Sequence, residues 1–177
     1  MKIVENRLIL IFLRYLSILV IALFAFSYFY KIFLPLTIYP ANFLLNLCYN
    51  SQIQSSSIIV NNIQIVLIEA CIAGSAYFLL LLLNLSVPMK PKTRFLSIIF
   101  SLALFLALNI ARIFIFSILY INNFKYFEIT HLLFWYLVSG VFVFLVWLVT
   151  IRTFKIKEIP FYTDLHFVYK LIKQGKK

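Results

Sequence analysis

The sequence predicts an all-α polytopic membrane protein with a small β-hairpin at its outer face. Of the 177 residues, 64% are hydrophobic and only 12% are charged, which is too few charges to cover a soluble domain of this size. The net charge is +11, but Lys and Arg lie between and after apolar runs, where they act as topology signals. This distribution excludes a nucleic-acid-binding surface.

Four apolar runs are long enough, or nearly so, to cross a hydrocarbon core about 30 Å thick, which requires about 20 helical residues. The first run is too long for a cleaved signal peptide and precedes no small-residue cleavage site, so we expect it to remain as an anchor. The predicted spans are residues 8–30, 70–87, 95–121 and 131–151, within a single transmembrane domain of residues 1–151.

Residues 32–49 form a shorter apolar segment that contains Pro35 and Pro40. Proline removes a backbone donor and disrupts a helix interior. The segment is therefore compatible with a fifth full span, with a broken helix or with a stretch that lies in the membrane interface.

Basic residues predict the orientation. They precede the first span, fill the connection after residue 87 and crowd the tail of residues 152–177, so we expect these three places to be cytoplasmic. The connections at 50–68 and 121–130 carry almost no basic residues and should lie outside. Two cytoplasmic termini require an even number of spans, so 32–49 should not cross; if it does cross, the amino terminus must lie outside.

The basic tail has the pattern of an amphipathic surface helix. Between residues 164 and 173 the apolar side chains of Leu165, Val168 and Leu171 or Ile172 recur at helical spacing. We expect this helix to rest on an anionic cytoplasmic leaflet.

The outer connection predicts a β-hairpin at residues 57–66. Two β-branched runs flank Asn61 and Asn62, and asparagine tolerates the positive φ angles that a two-residue turn requires. Its second arm leads almost directly into Glu69, so the hairpin should hold the start of the next helix in place.

Three side chains mark the candidate site: Cys71, Arg112 and His131. An arginine inside a hydrocarbon span costs roughly 2.5 to 3.5 kcal/mol on insertion scales, so Arg112 is a functional candidate. Cys71 begins its predicted span at the outer face, where a helix N-terminus stabilises a thiolate, and His131 begins the last span at the same face. Arg112 lies about nine residues, or roughly 13 Å, inside its span. We expect one pocket, open to the outside, to hold all three.

Each candidate has a structural alternative. Cys71 could be a small buried hydrophobe, as we expect for Cys48, and His131 could merely cap its helix. Glu69 could be the counter-ion of Arg112 or an interfacial carboxylate. The two cysteines are too few for a disulfide framework, and no Cys/His cluster has zinc-ligand spacing, so no metal or cofactor is expected.

The ordered motifs resemble the exosortase and archaeosortase family of membrane transpeptidases. The match consists of Glu69-Ala70-Cys71 opening one helix, Asn109-Ile110-Ala111-Arg112-Ile113 within the next, and His131 opening the one after. It covers about residues 55–150 and is closer to the archaeal branch, although some archaeal members have a second Arg where this chain has His131. Many members have Gly two places after the cysteine, whereas Gly74 is three after it, and the usual chain is longer with more spans.

The resemblance implies a cysteine transpeptidase that recognises a carboxy-terminal sorting signal on secreted proteins and cuts it at the outer face. The thiolate of Cys71 would form a thioester, and His131 would protonate the leaving amine and later deprotonate the incoming nucleophile. Arg112 would stabilise the oxyanion or the thiolate, with Glu69 and Asn109 in support. An amine acceptor on a lipid or glycan gives anchoring, and water gives proteolysis.

Two other classes of function remain open. In a noncatalytic membrane scaffold or subunit, the three side chains would serve helix packing. In a small transporter, Arg112 would bind an anionic solute, although the sequence lacks the paired repeats with broken helices that are common in transporters.

Overall fold

The structure, a computed structural model, describes residues 2–156, 160 and 162–174. It is 77% helical, with a small three-stranded sheet. The predicted tail is thus described except for residues 157–159, 161 and 175–177.

The first helix, α1, is a continuous helix from Lys2 to Asn46 that contains Pro35 and Pro40. The segment at 32–46 is therefore a continuation of the first helix rather than a separate span, and residues 47–49 form the turn that follows. Packing explains why the prolines do not end the helix: Ala41 and Leu45 are fully buried against the rest of the core.

Three antiparallel strands follow, in the order β1-β2-β3. The predicted hairpin at 57–66 is confirmed as β2 and β3, and Asn61 and Asn62 have φ angles of 48° and 68°. The strand β1 was not predicted, because its sequence, Ser-Gln-Ile-Gln, is mostly polar. The strands are β1 (Ser51–Gln54), β2 (Ser57–Val60) and β3 (Ile63–Val66).

The remaining helices complete a bundle in which α1, α3, α4 and α6 pack on one another. They are α2 (Glu69–Ile72), α3 (Gly74–Ser86), α4 (Pro91–Ile121), α5 (Phe127–Leu133), α6 (Ser139–Phe154) and α7 (Tyr162–Gln174). A π-helical turn, Phe134–Val138, joins α5 to α6.

Within the residues that the structure describes, three helical units are long and apolar enough to cross a membrane: Glu69–Ser86, Pro91–Ile121 and Phe127–Phe154. They contain nearly all of the predicted spans at 70–87, 95–121 and 131–151. The remaining predicted span, residues 8–30, is not confirmed. Among the residues of α1 whose side chains are described, the apolar stretch Leu8–Ala22 is shorter than the three units above.

Buried aromatic and polar contacts hold α3 to its neighbours. The ring of Tyr77 stacks on Phe33 of α1 at 3.6 Å between centroids and meets the edge of Phe105 of α4 at 4.9 Å. Nearer the other end of α3, Asn84 accepts a hydrogen bond from Ser97 at 2.7 Å and donates one to Ser101 at 3.1 Å. These contacts fix the axial position of α4 relative to α3.

The tail forms the helix α7, which contacts α1, and the predicted position of this helix on an anionic leaflet stays a prediction. Asp164 is 4% exposed and accepts a hydrogen bond at 2.6 Å from Arg14 of α1. Leu165 is 68% exposed, whereas Val168 and Leu171 are half-buried. The side chain of Ile172 lies outside the described part of the chain.

Candidate functional site

The site begins at a break in the helix that carries Cys71. Ala73 adopts the left-handed conformation, with φ 58° and ψ 43°, and ends α2 after one turn. The predicted span at 70–87 is therefore divided into α2 and α3. A helix end leaves carbonyl groups without intrahelical partners, so the carbonyls of Cys71 and Ile72 need donors from elsewhere.

Two side chains of α4 supply these donors. Asn109 and Arg112 are three residues apart and so lie on the same face of the helix. Asn109 Nδ2 donates to the carbonyl of Cys71 at 3.1 Å and to that of Ile72 at 3.4 Å. Arg112 Nη2 also donates to the carbonyl of Cys71, at 3.1 Å. The thiol-bearing turn is thus tied to α4 through its backbone.

The second terminal nitrogen of Arg112 contacts a residue that the sequence analysis missed. Nη1 donates to Ser139 Oγ at 2.9 Å, and Ser139 Oγ donates to the carbonyl of Phe134 at 2.9 Å. Ser139 begins α6 directly after the π-helical turn. The sequence signal that could have identified Ser139 is its small hydroxyl side chain within the apolar run at 131–151.

Glu69 is not the counter-ion of Arg112. Glu69 is exposed, and among the described residues the one ion pair is that of Arg14 with Asp164. The polar partners of Arg112 are instead a carbonyl and a hydroxyl, so no described carboxylate neutralises the guanidinium.

His131 lies one turn inside its helix. The prediction that His131 begins the helix is wrong, because α5 begins at Phe127. The imidazole stacks on the ring of Phe127 at 5.6 Å and meets Phe116 edge to face at 5.4 Å. These two rings set the orientation of the imidazole.

The structure brings all three candidate side chains to one place. Two adjoining cavities, of about 170 and 240 Å³, are both lined by Cys71, Arg112 and His131. Phe116 also lines both, and the larger cavity extends to β3. A thiol, a guanidinium and an imidazole therefore share an otherwise largely apolar cleft.

The other candidates lie outside this cleft. Asn109 is 2% exposed and acts on the backbone of α2, and Glu69 lines a separate cavity with Ser139. Cys48 is exposed, so the expectation that it is buried is wrong. Within the described part of the chain, no group of three or more His, Cys, Asp or Glu side chains could hold a metal ion.

The fold and the site define a helical protein with long apolar helices and a cleft lined by a thiol, a guanidinium and an imidazole. Comparison with models of known families, with curated proteins and with solved structures finds no match to this chain. Its function is therefore argued from the geometry and chemistry of the cleft.

Proposed function

We propose that the protein is a membrane-embedded cysteine peptidase or transpeptidase. It cleaves a carboxy-terminal sorting signal of secreted proteins at the outer face of the cell membrane and transfers them to an amine acceptor on a lipid or glycan. The observation that carries the proposal is the shared cleft: Cys71, Arg112 and His131 come from three separate helices and line the same cavity.

The reaction uses each side chain in turn. The Cys71 thiolate attacks the scissile carbonyl, and the tetrahedral intermediate collapses to a thioester as the C–N bond breaks. The His131 imidazolium gives its proton to the leaving amine, and neutral His131 then takes a proton from the acceptor amine as it attacks the thioester. The acceptor forms the new amide bond and the thiolate is released.

Arg112 is held where it can stabilise negative charge in this cleft. Its two terminal nitrogens each use one N–H, toward the carbonyl of Cys71 and the hydroxyl of Ser139. A guanidinium has five N–H donors, so three remain for the oxyanion. Because the walls of the cleft are mostly apolar, this charge interacts with an oxyanion more strongly than it would in bulk water.

The edge strand β3 supports an extended peptide as the substrate. The N–H of Leu67 donates to the carbonyl of Ser56 at 2.9 Å. In an antiparallel pair the backbone groups alternate in direction, so the odd-numbered residues of β3 form their backbone hydrogen bonds with β2. The backbone groups of Gln64 and Val66 therefore face away from β2, and both residues line the larger cavity. An extended segment can add to such an edge by main-chain hydrogen bonds. It would then lie beside the turn that carries Cys71.

The substrate class is what the resemblance to exosortases and archaeosortases implies, and the backbone conformation of Ala73 supports that resemblance. Many members of that family have glycine two places after the cysteine. Ala73 occupies this position, and its φ of 58° is one that glycine adopts without strain. The proposed outer location of the cleft follows from the basic residues of the α3–α4 connection and the tail.

A noncatalytic scaffold is the second candidate, and one observation favours it. Asn109 and Arg112 satisfy carbonyls that the helix break leaves unpaired, which is a sufficient structural reason for both. The two functions differ at the thiol: the hydrogen bonds at Cys71 use its backbone N–H and carbonyl, so a scaffold needs the Cys71 side chain only for packing.

Processing of a co-expressed substrate tests the proposal. The substrate carries a candidate signal, consisting of a short motif, an apolar helix and a basic end, and gel mobility reports cleavage. Cys71→Ala and His131→Ala should each abolish processing, and the double variant should lose little more, because residues that act in one step are non-additive. Cys48→Ala, which removes the exposed cysteine, is the matched control and should process normally. Normal processing by Cys71→Ala supports the scaffold.

A further inference from the structure

Another cavity lies at the opposite end of the bundle from the cleft. Its volume is about 670 Å³, and it forms where α1 passes the end of α3 and the start of α4. Three cationic side chains line it, Arg14, Lys90 and Arg94, and its lining contains no carboxylate. Its remaining walls are mostly apolar and include Leu13, Leu85 and Met89.

The cationic groups of this cavity are only partly neutralised. Arg14 is paired with Asp164, which is the one ion pair among the described residues. Arg94 Nη2 donates to the carbonyl of Val87 at 3.0 Å, but Arg94 Nε is buried without a hydrogen-bond partner. The charge of the Arg94 guanidinium thus has no carboxylate partner among the described residues, so an anion in this cavity would be stabilised by a group already in place.

The backbone adds to the positive potential. The helix α4 begins at Pro91, which also lines the cavity. Pro91 has no N–H group to donate, but the helix dipole favours an anion at this end. The cavity thus combines a helix start with two cationic side chains that have no acidic partner among the described residues.

We propose that this cavity binds the phosphate of an anionic phospholipid headgroup. It lies at the ends of two helical units long and apolar enough to span a membrane, Glu69–Ser86 and Pro91–Ile121. Basic pockets between the ends of membrane helices on the cytoplasmic side bind the headgroups of anionic lipids. The leucine and methionine walls provide apolar surface for the glycerol and the first acyl carbons of a phospholipid. Free inorganic phosphate has no group that would use this apolar surface. This inference does not depend on the proposed activity.

Native mass spectrometry of the purified full-length protein tests the proposal. The protein is exposed to mixed micelles with equal amounts of phosphatidylglycerol and phosphatidylcholine, and bound lipid is counted. We expect clear retention of phosphatidylglycerol. Arg94→Gln and Lys90→Gln should each weaken it by about fivefold, as expected for one cation near an anionic headgroup. Arg152→Gln is the matched control, because it removes one exposed cation from the last turn of α6 and should leave binding unchanged.

Three results would overturn the proposal. They are equal retention of the two lipids, undiminished binding after both cavity substitutions, and displacement of the lipid by an equal concentration of inorganic phosphate. The last result would assign the cavity to free phosphate instead. If Arg94→Gln does not fold, because its Nη2 holds the carbonyl of Val87, then Lys90→Gln decides, since Lys90 is exposed.

Discussion

The guanidinium of Arg112 has a geometry that a lysine cannot reproduce. Its terminal nitrogens contact the carbonyl of Cys71 and the hydroxyl of Ser139 at once, and this needs a planar fork. We therefore expect Arg112→Lys to lower turnover by about 10²-fold, similar to the loss of one oxyanion donor, while the protein still inserts into the membrane.

The measurement is the rate of substrate processing at equal protein levels. Ser139→Ala is the companion variant: it removes one partner of Arg112 but no charge, so its loss should be smaller than that of Arg112→Lys. Wild-type rates for Arg112→Ala would remove arginine from the mechanism.

The left-handed conformation of Ala73 predicts a stabilising substitution. An L-residue in this region costs roughly 1 to 2 kcal/mol, a penalty that glycine avoids. Ala73→Gly should therefore raise the free energy of unfolding by about 1 kcal/mol, measured as a higher melting temperature in detergent. Ala76→Gly, within α3, should lower the stability by a similar amount, because glycine is a poor helix former. Equal losses for both variants would contradict the role given to Ala73.

At the scale of elements, the free edge of β3 predicts how the substrate is held. Val66→Pro removes an N–H group that faces away from β2, so the sheet should persist while peptide binding weakens. We expect KM to rise by about tenfold, the effect of one lost hydrogen bond of about 1.4 kcal/mol, with kcat little changed. Val66→Thr keeps the N–H and the branched shape and should behave as wild type. An unchanged KM for Val66→Pro would rule out binding along this edge.

Elements with strong local signals were predictable, and those set by tertiary contacts were not. The hairpin followed from Asn61 and Asn62 between β-branched runs, and three helical units followed from apolar length. The break at Ala73 was missed because alanine is the best helix former, although Gly74 and Ser75 directly after it are a weak local signal for a helix end. The helix through Pro35 and Pro40 depends on packing around Ala41 and Leu45, which no local pattern reports.

The site was predictable in its members but not in their contacts. A cation in an apolar run, a cysteine at the start of a span and a histidine near the start of another identified the three cleft residues. The partners of Arg112 could not be predicted, because a backbone carbonyl exposed by a helix break and a hydroxyl on a distant helix have no sequence pattern. Ser139 was missed for this reason.

At the scale of the whole molecule, the proposed orientation predicts which positions are accessible from outside. Ser56 lies in the β1–β2 turn, and Asn122 follows α4 and contacts Tyr49 at the same end of the bundle. Thr93 lies at the start of α4, at the opposite end. In a background with both Cys48→Ala and Cys71→Ala, cysteines at positions 56 and 122 should react with an impermeant reagent in intact cells, and one at position 93 should not. Labelling at 93 alone would put the cleft on the cytoplasmic side.

The proposed mechanism requires Cys71 to form a thioester with the cleaved protein, and this intermediate can be captured chemically. Hydroxylamine added to membranes during processing attacks a thioester, so the released protein should carry a carboxy-terminal hydroxamate, identified by mass spectrometry. We predict this product for the wild type and for Cys48→Ala, and its complete loss for Cys71→Ala. Hydroxamate formation by Cys71→Ala, or cleavage by the wild type that yields only a carboxylate in hydroxylamine, would contradict the account.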